Sequence, residues 1–184
     1  MACRLSTFPA RLDHSAEKPT TTSVGRRIGV AKLAGEQFLN ASFYNFVAFY
    51  LMSIKPKFGE EILAGVKKYE LRRLAGPLIE PGDHIFLYFT RPVAAVAGHF
   101  VAGVVFLAPI ENLPRLLKEL GDVGVGEEDL RYIEGARYAM LVEVKNRALC
   151  AKLVKPADVG LRPPPSYRRI DKRTADRLLA MCNS

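Results

Sequence analysis

A chain of 184 residues, 49% apolar and 25% charged, has the make-up of one globular domain with or without a tail. No apolar run reaches the ~18 residues of a membrane span, since Gly98, His99 and Gly103 break the longest one, Pro92 to Ile110. The formal charge of +8 and a pI near 9.5 favour an anionic partner over a membrane, the plainer reading of that charge being solubility.

Residues 1–45 are polar and aperiodic, with scattered Arg4, Arg11, Arg26, Arg27 and Lys32 and the turn-like run Lys18 to Ser23. This composition predicts a disordered extension, with a short helix over Val30 to Leu39 as the ordered alternative. Asp13, Glu17 and Glu36 interrupt any targeting pattern, and a true translation start near Val47 or Met52 is a further expectation. The domain itself is expected over 46–184. Its first strand is the apolar run Phe46 to Ile54. Pro56 then opens a short helix, where its missing N–H costs nothing. Glu60 and Glu61 are placed in or near its first turns, where the dipole favours acids. Phe58 and Ile62 share a face, and Gly65 ends the helix in a left-handed cap. From Lys67 to Arg73 the chain alternates, Tyr69 and Leu71 on one side, Lys68, Glu70 and Arg72 on the other.

Those residues carry a resemblance. Ser53-Ile54-Lys55-Pro56 followed by Gly65, Lys67, Glu70 and Arg72 resembles the signature of the ASCH (activating signal cointegrator homology) family. Pro81-Gly82-Asp83 and the Pro-rich Arg162 to Tyr167 are similar to further blocks of that family. The resemblance spans roughly residues 47–170. It implies an α+β fold, a small PUA-like β-barrel with short peripheral helices. Bottom-up reasoning alone reaches a β-rich α+β domain.

Beyond the signature, His84 to Thr90 alternates with apolar residues on both faces, which predicts a central strand covered on both sides. Val93 to Leu107 is one long strand, or two joined at Gly98 or Gly103. Leu113 to Leu120 has helical spacing and stops at Gly121. Glu127, Glu128 and Asp129 open a helix through Ile133. Ala136 to Lys145 and Leu149 to Val154 read as two strands, and Pro156 to Gly160 as a turn. Arg162 to Pro165 is extended by its prolines. Asp171 caps a final amphipathic helix whose apolar face holds Ala175, Leu178, Leu179 and Cys182.

Candidate chemistry gathers at the signature. Lys67 and Glu70, with Lys55, Lys57, Lys68, Arg72 and Arg73 nearby, are expected to keep one carboxylate ionised and to attract phosphate. Tyr69, Phe86 and Tyr88 are candidates for a surface on which a base stacks. Tyr167, Arg168 and Arg169, with Arg162, Lys172, Arg173 and Arg177, form either a phosphate-contacting wall or a solvated face. The bland alternative for Lys67, Glu70 and Arg72 is a solvated strand face paired across the sheet. His84 and His99 read as hydrogen-bonded core residues. No metal spacing, phosphate loop or nucleophile elbow is present, so neither a cofactor nor a metal is expected. The odd, dispersed Cys3, Cys150 and Cys182 predict no disulfide framework and a reducing, cytoplasmic setting.

The resemblance implies RNA or nucleotide binding, with links to translation or transcription control. Its other implication is a small hydrolase of acetylated cytidine or of RNA, in which Lys67 and Glu70 would be catalytic. That hydrolase type carries Thr where this chain has Glu70, and its later acid corresponds to Glu111 or Glu143. A protein partner has no positive signal.

Overall fold

The computed structural model describes residues 47–184, so the expected extension over 1–45 lies outside the described residues. Along the chain run β1 (Phe49–Ile54), α1 (Pro56–Ala64), β2 (Tyr69–Arg73), β3 (His84–Phe89), β4 (Ala95–Pro109), α2 (Leu113–Leu120), α3 (Glu127–Ile133), β5 (Tyr138–Val154), β6 (Tyr167–Ile170) and α4 (Lys172–Cys182). The strands form one mixed sheet in the order β2-β5-β4-β3-β1-β6. Among the described strands only the pair β1 and β3 is parallel. The sheet curls into a half-barrel, so that Arg72 on edge strand β2 reaches the Ser53 carbonyl of β1 at 2.8 Å.

Alternation along each strand decides what the two faces bury. Tyr50, Met52, Ile54, Ile85, Leu87 and Phe89 point to the concave face and pack with Ile62 of α1. Leu51, Phe86 and Val96 point the other way, beneath Ala175, Leu178 and Cys182 of α4. β3 is therefore central and covered on both faces, as its two apolar sides predict. A third cluster joins Leu71, Ala139 and Leu141 to Leu113 of α2 and Ile133 of α3. Helix α1 begins with Pro56 in its first turn and ends at Gly65, whose φ of 82° is the left-handed cap. Gly59 lets α1 sit directly on the sheet: a Cβ there would stand 2.1 Å from the Phe89 ring.

Several expectations are corrected. Glu60 and Glu61 lie beyond the first turn of α1, which holds no acid. β5 is one strand of 17 residues, because Asn146 adopts φ 45° and pairing with β4 resumes beyond it through register shifts. β4 takes the first of its two expected forms, one long strand through Gly98 and Gly103. β6 was not anticipated; its four residues pair with β1 after the prolines, which cannot donate to a ladder, have ended. Cys150 of β5 and Cys182 of α4 form a disulfide, which removes the cysteine pattern as an argument for a reducing compartment. Among the described residues no helix is long and apolar enough to cross a membrane.

His84 and His99 are half-buried neighbours on adjacent strands, Nε2 to Nδ1 2.9 Å apart. His84 stacks on Phe86. Burial and then the neighbouring His99 push its pKa down to about 4, and burial lowers that of His99 as well.

Candidate functional site

The left-handed cap at Gly65 turns the chain so sharply that Val66 and Lys67 both donate their amides to the Glu61 carbonyl. The loop before α3 then closes over them. Lys68 and Tyr69 donate to the Val123 carbonyl, and Gly124 lies so near that a Cβ would stand 2.7 Å from the Lys67 Cα. Lys67 is thereby sealed, its side chain fully inaccessible. An isolated ammonium could not be held there, so it is paired. It donates to Asp129 of α3, stands 3.3 Å from Glu70 Oε2, and lies 4.6 Å from the centre of the Phe58 ring.

Glu70 passes the network on to Arg72. Their closest approach, Oε1 to Nε, is 2.9 Å, with both side chains buried. Arg72 also bonds the Ser53 carbonyl, and Ser53 in turn donates its Oγ to Pro164 O at 2.5 Å and its amide to Ser166 O at 2.8 Å. The buried cluster thus holds two cations, Lys67 and Arg72, and two carboxylates, Glu70 and Asp129, with no net charge. Asp129 is fixed by a further bond from the Gly126 amide at the start of its own helix.

A cavity of about 170 Å³ opens on this cluster. Ser53, Ile54 and Lys55 form one wall, Glu70, Leu71 and Arg72 the floor, and Glu128, Asp129 and Tyr132 of α3 the opposite wall; Phe58, Thr90 and Pro165 complete it. Glu70 Oε2 and Arg72 Nε are buried here without a hydrogen bond of proper geometry, although their ion contacts remain. Such groups are costly to leave unmatched. Phe58 and Tyr132 supply apolar ring surface, and Arg72 and Arg73 lie 5.8 and 5.6 Å from the Tyr132 ring centre. At the mouth Lys55 and Lys57 both contact Glu128, at 2.7 and 3.4 Å. Hydrogen bonds from Lys55, then Lys57, hold the Glu128 carboxyl below its ordinary range.

The structure gathers Lys55, Glu70 and Arg72 at the cavity, with Lys57 at its rim and Lys67 behind the wall. A sealed, neutralised Lys67 does not attract phosphate from solvent, which corrects that expectation and the solvated-face alternative together. Arg73 is exposed and clamps the end of α3, donating to the carbonyls of Tyr132 and Glu134 at 2.7 and 2.9 Å. Lys68 is exposed and reaches the Asp122 carbonyl. The expected stacking surface is not here: Tyr69 packs on Phe106, while Phe86 and Tyr88 lie in the cluster under α4. Tyr167 is buried in the concave core against Tyr50. Arg168 and Arg169 are exposed on β6, but as successive strand residues they point to opposite faces and line no part of the cavity. Neither Glu111, which is exposed, nor Glu143, which pairs with Lys145 on β5, lines the cavity. Asp129 and Glu128 stand at the cavity instead. Sequence reasoning missed Asp129, Tyr132, Phe58 and Thr90 as site residues. The acids opening α3 were visible, but only as helix-start residues.

The curled α+β half-barrel is a fold this chain shares with solved ASCH-domain structures. The ASCH structure from Zymomonas mobilis is similar to this chain at 22% identity, covering 72% of this chain and 94% of that one with a TM-score of 0.62. Its tyrosine-to-phenylalanine and serine-to-alanine variants give 22% identity and TM-scores of 0.63, covering 97% and 95% of their own chains. No family model matches the chain, and no curated protein does.

Proposed function

We propose that this domain binds single-stranded nucleic acid, RNA foremost, and seats one base in the pocket. The observation that carries this reading is the pair Glu70 and Arg72, buried at the cavity with Glu70 Oε2 and Arg72 Nε held by ion contacts alone, without hydrogen bonds of proper geometry. A base edge offers the complementary donor and acceptor. The cluster beneath is neutral, so it suits an uncharged, hydrogen-bonding group better than a phosphate. Phe58 and Tyr132 offer ring faces for stacking. The cavity is smaller than the roughly 300–1,000 Å³ of drug-sized sites, on the scale of one base. The charge of +8 supplies long-range attraction for the backbone. The likeness to ASCH structures supports the same class, and a link to translation or transcription control belongs to this proposal.

The test is fluorescence anisotropy with single-stranded RNA, single-stranded DNA and duplex across a salt series. Single strands are expected to bind best, with log affinity falling by about 0.7 per phosphate neutralised for each decade of salt. Glu70→Gln and Arg72→Lys are each expected to lose about 1.5–3 kcal/mol of binding, as for hydrogen bonds to charged groups. Affinity indifferent to salt between about 50 and 200 mM, or equal for duplex, would overturn the reading.

A hydrolase of acetylated cytidine or RNA is the second reading, favoured by one observation. Thr90, from the turn after β3, brings a hydroxyl to the cavity. Turnover by purified protein that vanishes in Thr90→Val while binding persists would establish this reading instead.

A further inference from the structure

We infer that Lys55 and Lys57 form a phosphate subsite at the pocket mouth, and that Glu128 occupies it until a ligand's phosphate takes its place. This inference rests on the nucleic-acid reading above. Lys55 precedes α1 and Lys57 lies in its first turn, whereas Glu128 comes from α3 on the opposite wall. The two carboxylate oxygens divide the two ammonium groups between them, Oε1 taking Lys55 at 2.7 Å and Oε2 taking Lys57 at 3.4 Å. Two neighbouring oxygens of a phosphate can be held by the same pair of donors. Lys55 and Glu128 both line the cavity, so an anion held there would lie beside a base seated against Glu70 and Arg72.

Exposure decides which ion pairs can exchange. The side chains of Lys55 and Lys57 are each 67% exposed and that of Glu128 is 38% exposed, whereas Lys67 is sealed against Asp129. Exposed pairs are weak and open readily, while a buried pair is costly to break. The mouth contacts can therefore be traded for a phosphate, and the buried ones cannot. Glu128 lowers the affinity for any anion that offers charge alone. A ligand that also fills the pocket with a base gains enough to displace it. Such a competing carboxylate yields selectivity at some expense of affinity.

The experiment compares the full chain with its Glu128→Gln variant, using a short single-stranded RNA, the nucleoside 5′-monophosphates and the unphosphorylated nucleosides. Glu128→Gln is expected to tighten RNA and monophosphate binding about three- to tenfold, the scale of releasing one or two exposed ion pairs. The salt slope for RNA should steepen by up to about 0.7 per lysine freed. The gain should exceed any change in nucleoside affinity, and adding Lys55→Gln with Lys57→Gln should abolish it. Gain for RNA without gain for monophosphates would mark the phosphate as one belonging to a neighbouring nucleotide of a strand, with the subsite intact. Wild-type binding with no tightening in Glu128→Gln, or equal tightening for nucleosides, would overturn the inference alone. Failure of the wild type to bind any of the three ligands would overturn the underlying reading as well.

Discussion

Lys67 shows how burial changes a residue's role. Its three charged neighbours in sequence, Lys68, Glu70 and Arg72, suggest a cationic surface, yet its own side chain is sealed between Asp129, Glu70 and the Phe58 ring. It positions the two carboxylates and does not itself line the cavity. Lys67→Met should consequently leave the Asp129 carboxylate without a cation, while Glu70 keeps Arg72, and destabilise the fold by about 3–5 kcal/mol, the scale for breaking a buried pair. Urea denaturation checks this. Lys67→Met with Asp129→Asn should recover part of the loss, since removing both partners costs less than stranding one. A single variant as stable as the wild type would show that the pair contributes nothing to the fold.

At the scale of elements, α1 and α3 are the two jaws of the cavity, and each is seated by a small number of close contacts. Gly59 brings α1 onto Phe89, which is only 4% exposed and has little room to move. Gly59→Ala is expected to cost about 1–3 kcal/mol, the usual penalty of overpacking. It should also weaken ligand binding, because α1 carries Phe58. Thermal melts and anisotropy on the same variant read both effects, and Phe89→Leu in that background should restore much of the stability. Helix α3 is short and is held by Ile133 in the third apolar cluster, by Asp129 on Lys67 and by the Arg73 bonds to its last carbonyls. Much of its fastening is thus polar, and the Asp129–Lys67 pair lies at the site.

For the molecule as a whole, acid stability is set first by the two histidines between β3 and β4. The folded His84 titrates near 4 because burial and His99 oppose its charge, whereas an unfolded histidine titrates near 6.5. Between those values the unfolded chain binds the extra proton and the folded chain does not. Stability therefore falls as pH drops through that window. Glu143 adds a second loss, starting below its ordinary value of 4.5; burial raises its pKa, but Lys145 and the Val104 amide outweigh that and lower it. The thermal midpoint is expected to decline from pH 7 to pH 5, and to decline less in His84→Phe with His99→Leu. An identical pH profile in that double variant would remove the histidines as the cause.

The sequence by itself determined most of the elements. A continuous apolar run announced β1, and alternation announced β2 and β3. Pro56 and Gly65 bounded α1, Gly121 followed α2, and Asp171 capped α4 by accepting the Thr174 amide. These signals are legible because they act within a few residues, through backbone geometry and the pleat or pitch of one element. Glu70 and Arg72 were legible for the same reason, being neighbours on one strand face. Only the tertiary structure decided the rest. It set Asp129 on Lys67, 62 residues away, and linked Ser53 to Pro164 across 111. It joined Cys150 to Cys182, and it sent Arg168 and Arg169 to opposite faces of a strand the prolines had concealed. No local periodicity encodes which distant acid meets a lysine. That depends on how far the sheet curls and where the loop before α3 comes to rest, and both follow from packing of the whole core.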